Sequence, residues 1–296
     1  MAGVIGQLLV TGILIGLMYG VIAVCIGVIY NATQIINFAQ GEFVMIGGVM
    51  TWAFITELHC PLWVAATAAV LIGALVGLVV ERVVINTARR FRPPLLTYIF
   101  LTFGVSIILS NVTMFAFGTN PLIFDPFLGR APIVLGKISM SSQYVLVLPL
   151  CLVLLAGLTS FFAYTRFGKA MRASAVNDIG ARIVGIDVGV LSMMAFGLSG
   201  AVSALVGVFL TPITTTSYAI GLSFTLKGFA AAITGGLGNF RGAVVGGLII
   251  GVVESLGAGL ISSQFQDAIT FLFVIVMLVA LPKGIFSSLV EERERL

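Results

Sequence analysis

Three stretches of this sequence hold polar or charged side chains in or beside long apolar runs. The first reads Asn31-Ala32-Thr33-Gln34-Ile35-Ile36-Asn37-Phe38-Ala39-Gln40-Gly41-Glu42-Phe43. Asn37, Gln40 and Gly41 fall within one helical turn, so their amide groups can face inward together beside the Glu42 carboxylate. The flanking run is as apolar as lipid, and an ionised carboxylate at mid-membrane costs about 3 kcal/mol on insertion scales. A partner, a cavity or a helix N-terminus must offset that cost. Two readings stand: a capped, broken helix end at the membrane boundary, or a direct contribution to a path for a polar solute.

The second stretch is a pair, Lys227 and Glu254, each inside its own apolar run. Counted along the two runs, their depths agree to within about 5 Å. Both are expected to face the protein interior. They form an ion pair, or Lys227 reaches for the surface while Glu254 caps a neighbouring helix.

The third stretch is 166–187. There Phe167, Met171, Ala175, Ile179 and Ile183 recur every four residues, opposite Lys169 and Arg172. That spacing predicts one apolar helical face. A short amphipathic helix of this kind lies on a membrane surface or in a groove of a partner protein.

Several chemistries are missing from the pattern. Gly136-Lys137 runs into Ile138 and Gly168-Lys169 into Ala170, without the spaced glycine and hydroxyl of a phosphate-binding loop, so the chain is not expected to bind ATP itself. No GxSxG or HExxH occurs. His59 is the one histidine, and Cys25, Cys60 and Cys151 are widely spaced, so neither a metal site nor a disulfide framework is expected. The chain reads as a non-enzyme that holds no cofactor.

These side chains must be positioned by membrane helices. Of 296 residues, 59% are hydrophobic and 9% charged, and the mean hydropathy is +1.19. A soluble domain carries about 25% charged residues, so a soluble enzyme, a disordered chain and a coiled coil are all excluded. The expected architecture is an all-α polytopic bundle forming a single domain over 1–296. Nine apolar runs qualify: 5–30, 36–56, 61–85, 96–117, 144–164, 189–211, 222–238, 243–262 and 268–286. Gln40-Gly41-Glu42 interrupt the second, and the seventh is short and holds Lys227, so eight or nine spans with a broken second span are expected. The first lacks the basic leader of a cleaved signal and reads as a retained span.

The net charge of +4 sits in short loops, which speaks for membrane orientation and against nucleic-acid binding. Arg89, Arg90 and Arg92, then Arg166, Lys169, Arg172 and Arg182, then Arg241, and finally Lys283, Arg293 and Arg295 fall on one side of nine alternating spans. That side is the cytoplasm, with the N-terminus outside. Arg130 and Lys137 are the exceptions, in an outer loop 118–143 that Pro121, Pro126 and Pro132 keep extended or turned. Glycines four apart, at Gly12, Gly16 and Gly20, Gly73 and Gly77, Gly242 and Gly246, and Gly247 and Gly251, predict close helix packing.

Three motifs resemble those of permease subunits of branched-chain amino acid ABC importers, the Liv type. They are Ile36-Asn37-Phe38-Ala39-Gln40-Gly41-Glu42-Phe43; Arg172-Ala173 with Asn177-Asp178, Ala181-Arg182 and Gly185-Ile186; and the glycine-rich Gly235 to Gly247. Some members carry His at the position of Gln40. The resemblance implies a multi-pass subunit of a bacterial inner membrane with its C-terminus in the cytoplasm. It implies a second related permease, two cytoplasmic ATPase subunits that carry ATP and magnesium, and a periplasmic substrate-binding protein. Segment 166–187, with Phe167, Met171, Arg172, Asp178, Ile179, Arg182 and Gly185, would be the helix that couples to the ATPase. Asn37, Gln40, Gly41 and Glu42 would contribute to the translocation path, in an alternating-access cycle. Leucine, isoleucine and valine are the implied substrates, with urea, short amides and small carboxylates as the alternatives. An ATP-independent channel or carrier is the rival outside the family.

Overall fold

The computed structural model describes residues 2–91, 93–129, 131–135, 138–282 and 284–286. Arg92, Arg130, Lys137, Lys283, Arg293 and Arg295 lie outside the described residues. In lipid every backbone N–H and C=O needs a partner from its own segment, and the apolar runs accordingly become helices. In chain order these are α1 (Ala2–Thr33), α2 (Gln40–Thr56), α3 (Leu62–Val79) and, after a π-helical turn Val80–Ile85, α4 (Asn86–Arg89). Then follow α5 (Leu95–Phe117), a hairpin of β1 (Ile133–Leu135) and β2 (Ile138–Met140), α6 (Tyr144–Tyr164), α7 (Arg166–Val176) and α8 (Asp178–Ile183). The chain continues with α9 (Val188–Thr214), α10 (Ile220–Gly235), α11 (Phe240–Leu260), a 3-10 turn Ser263–Phe265 and α12 (Gln266–Ala280).

Each of the nine expected runs contains a helix, although the second becomes helical only at Gln40, the seventh ends at Gly235 and the ninth at Ala280. Among the described residues, seven stretches are long and apolar enough to cross a membrane: Gly3–Thr33, Leu62–Arg89, Leu95–Phe117, Tyr144–Tyr164, Val188–Thr214, Phe240–Leu260 and Ser263–Ala280. The chain is a multi-pass membrane protein. The other two runs are shorter, with 17 residues in α2 and 16 in α10. At 1.5 Å per residue each covers about 25 Å, less than the ~30 Å hydrocarbon layer. The third run extends past its expected end, so Arg89 belongs to a helix and not to a loop. The 118–143 loop is turned, and in its hairpin Ile133 pairs with Met140.

Packing divides the chain into two units. One gathers Met1–Gly27, Asp125–Leu155 and Lys227–Leu296; the other gathers Val28–Phe124 and Ala156–Leu226. In the first unit, Gly12 and Gly16 on α1 lie against Gly247 and Gly251 on α11, where a Cβ would strike the facing backbone. Two helices in such contact gain dispersion and weak Cα–H···O bonds that larger residues would forbid.

In the second unit α2, α3 and α9 pack closely. Gly47 rests on the Ala204 carbonyl and Gly207 on that of Val44. Among the described residues its apolar core includes two clusters. One is built on Ile29, Ile85, Val105 and Phe196, the other on Met45, Val49 and Leu122. The sequence thus places the start of α2 among tightly packed neighbours, which fixes what its polar groups can reach.

Candidate functional site

Between α1 and α2 the backbone leaves the helix. Gln34 takes a left-handed conformation, φ 57°, and Ile35 N–H bonds the Thr33 hydroxyl at 3.1 Å. Asn37 Oδ1 then accepts from Ala39 N–H at 3.0 Å, a side-chain turn that launches α2. The expected break therefore lies at residues 34–39, ahead of Gln40 and not at Gln40-Gly41-Glu42 themselves, which form the first turn of α2.

That first turn is buried. Asn37 is 1% exposed, Gln40 0% and Glu42 1%. Gln40 Nε2 donates to Ser203 Oγ at 2.6 Å and its Oε1 accepts from Asn37 Nδ2 at 3.3 Å. Gly41 N–H donates to Thr225 Oγ1 at 2.8 Å, and Thr225 Oγ1 donates in turn to Gly221 O at 3.1 Å. Ser106 Oγ donates to Glu42 Oε1 at 2.7 Å. Three helices, α5, α9 and α10, are thereby tied to one helix start. Glu42 also sits where the α2 dipole favours a negative charge. Its other oxygen, Oε2, has no hydrogen-bond partner among the described residues and is pressed against Gly221, where a Cβ would not fit. Asn37, Gln40, Gly41 and Glu42 thus form one assembly, packed inside the second unit.

Lys227 and Glu254 meet in the first unit: Nζ lies 2.8 Å from Glu254 Oε1. A third charge joins them, since Asp267 Oδ1 is also 2.8 Å from Lys227 Nζ. Gln266 Nε2 donates to Glu254 Oε1 as well. Both added residues open α12, just before the expected start of the ninth span at 268, and the sequence reading missed them. It also missed Glu81, buried in the π-helical turn and 3.7 Å from Arg89, whose Nη2 donates to Ser192 Oγ at 3.0 Å. An acid inside an apolar run with an arginine eight residues on was the signal available.

Segment 166–187 is not one helix. Asn177 leaves the helical conformation, φ −152° and ψ 100°, and its Oδ1 accepts from Gly180 N–H at 2.9 Å to start α8. The break corrects the single five-residue apolar face: Phe167, Met171 and Ala175 belong to α7, Ile179 and Ile183 to α8. Phe167 stacks on Phe161 and Phe162 with ring centroids 5.8 and 6.1 Å away, and Met171 is buried. The Arg172 guanidinium donates to the carbonyls of Phe162 and, at 3.3 Å, Ala163. Phe167 and Arg172 bind α7 to the end of α6. What α8 presents outward is its C-terminal end: Ile183 is 79% and Val184 75% exposed, Arg182 is exposed, and Gly185 turns the chain with φ 86°. The side chains of Asp178 and Ile179 lie outside the described residues.

No group of three or more potential metal ligands occurs among the described residues. The arrangement offers hydrogen bonds, a buried carboxylate and an exposed apolar knob.

A family model described as "Branched-chain amino acid transport system / permease component" matches residues 8–281. The high-affinity branched-chain amino acid transport system permease protein LivH of Escherichia coli (strain K12) is 30% identical over 294 residues, covering 94% of each chain. BraD of Pseudomonas aeruginosa, of the same description, is 31% identical over 295 residues, again 94% of each. A probable branched-chain amino acid transport permease protein LivH of Methanocaldococcus jannaschii is 29% identical over 276 residues, 86% of this chain and 84% of its own.

Proposed function

The chain belongs to the family of branched-chain amino acid transport system permease components, and from that membership we propose that it is the membrane subunit of an ATP-driven importer. Its cargo is leucine, isoleucine or valine, handed over by a periplasmic binding protein. It sits in a bacterial inner membrane with its C-terminus in the cytoplasm, beside a second related permease. Two ATPase subunits below it carry the ATP and magnesium. The observation that carries this reading is the family match across residues 8–281, nearly the whole chain.

The geometry supplies a route for the force. An ATPase cleft gripping Ile183 and Val184 moves α8. The Asp187 carboxylate caps α9 through Gly189 N–H at 2.8 Å and Val190 N–H at 3.2 Å, so displacement of α8 passes into α9. Arg172 and the Phe161–Phe162–Phe167 cluster pass it into α6. Packed helices move as rigid levers between discrete arrangements rather than bending continuously. On α9 the motion reaches Ser203, the partner of Gln40. Shifting α9 against α2 breaks that bond and frees the amides of Asn37 and Gln40 for a passing polar solute. A weak, transient path suffices, because a tight site would hold the cargo.

The test is co-purification of the ATPase subunits with Ile183→Asp and Val184→Asp variants. Both side chains are exposed, so stability should change by no more than about 0.5 kcal/mol. Retention of the ATPase should fall at least tenfold. Full retention by both variants would refute the docking site.

A further inference from the structure

In the first unit the helices α1, α10, α11 and α12 converge on one charged centre. Lys227 Nζ lies 2.8 Å from both Glu254 Oε1 and Asp267 Oδ1 and 5.8 Å from the centroid of the Tyr19 ring. One cation thus faces two carboxylates, and the centre carries a net charge of about −1 when all three are ionised. Glu254 is 3% exposed; the Tyr19 side chain is hydrogen-bonded to its carboxylate, and its Oε2 is buried with no hydrogen-bond partner among the described residues. A buried carboxylate oxygen left bare is costly, and an arriving cationic donor removes that cost. Asp267 is the exposed member, so the centre has an edge open to its surroundings.

Lys227 is bonded twice and can release one carboxylate without becoming an unpaired buried charge. That leaves a positive and a negative group side by side, with free capacity on each. An α-amino acid presents the mirror of this arrangement, an ammonium and a carboxylate on one carbon. We propose that Lys227 and Glu254 form a subsite for the main-chain ammonium and carboxylate of an α-amino acid in transit. The ammonium bonds Glu254 Oε2. The carboxylate takes the place of Glu254 Oε1 on Lys227, while Asp267 keeps the lysine charge balanced. The exchange moves no covalent bond and conserves total charge. The inference rests on the proposed function as an amino-acid permease. It explains recognition of the backbone common to all branched-chain amino acids, leaving their side chains unread at this point.

The experiment uses the assembled importer, without its binding protein, in detergent. Radiolabelled leucine binding is measured by equilibrium dialysis, with 3-methylbutylamine and 4-methylpentanoate as competitors that keep only the ammonium or only the carboxylate. Wild type should bind leucine weakly and saturably, and each analogue should compete less well than leucine. Glu254→Gln leaves Lys227 paired with Asp267, so the fold is retained. Leucine binding should weaken at least tenfold and competition by the amine should vanish, while that by the carboxylate persists. The double variant Lys227→Met with Glu254→Gln removes both buried charges together and should abolish competition by either analogue. Glu57→Gln, an exposed carboxylate outside the centre, should bind as wild type does. Unchanged leucine binding in Glu254→Gln and the double variant overturns the proposal. So does equal competition by a hydrocarbon alcohol lacking both charges, which wild type alone can show. Absence of ATP-dependent leucine uptake by wild type in liposomes would instead overturn the proposed function, a separate result.

Discussion

At the residue scale, Gln40 and Arg172 each hold more than one element. Replacing Gln40 with Ala strips Ser203 Oγ and Asn37 Nδ2 of their partner among buried neighbours. An unmet buried polar group costs about 1–3 kcal/mol, so the variant should lose thermal stability in detergent, read as a fall in melting temperature. Arg172→Ala removes two charge-assisted bonds to the end of α6. The expected result is a several-fold drop in solute moved per ATP hydrolysed with ATPase activity retained, measured in liposomes. Equal coupling in wild type and variant would place the lever elsewhere. Part of this scale was readable beforehand. The inward placement of Asn37 and Gln40 was legible in polar groups that open an apolar run, and the Lys227–Glu254 ion pair was one of the two readings that their equal depth left open. Asp267 and Gln266 were not readable, because they lie at a helix start whose boundary moved by two residues. The resemblance puts Arg172 in the coupling segment, but its bonds to α6 were not legible, although carbonyls at the end of a preceding helix attract a guanidinium.

At the element scale, lipid leaves the backbone little choice, and all nine apolar runs were legible as helices for that reason. The break at Asn177 was not read, because the four-residue apolar repeat continues in register across it. The signal against a single helix was the capping side chain of Asn177 ahead of Asp178, the kind that starts a helix. The expected glycine packing appears as backbone contact between α1 and α11. Gly247→Leu would drive a side chain into the α1 backbone at Gly16 and Gly20. Overpacking of that kind costs about 1–3 kcal/mol or more, so the folded yield on size exclusion should fall sharply. Gly104, with open space around its Cβ position, should accept Ala with no loss. Similar yields for Gly247→Leu and Gly104→Ala would contradict the packing account.

At the scale of the whole molecule, the chain is a permease component that carries lipid-facing apolar surface, a polar helix start and an exposed knob at the end of α8. Its membership of the permease family is what supports the proposal that its energy comes from a separate subunit. Uptake of radiolabelled leucine into liposomes holding the full importer, with ATP on the ATPase side and the binding protein on the other, measures that account. It predicts uptake that requires ATP and stops when the ATPase is replaced by a variant unable to hydrolyse it. Leucine entering at the same rate without ATP, or through this chain alone, would contradict it.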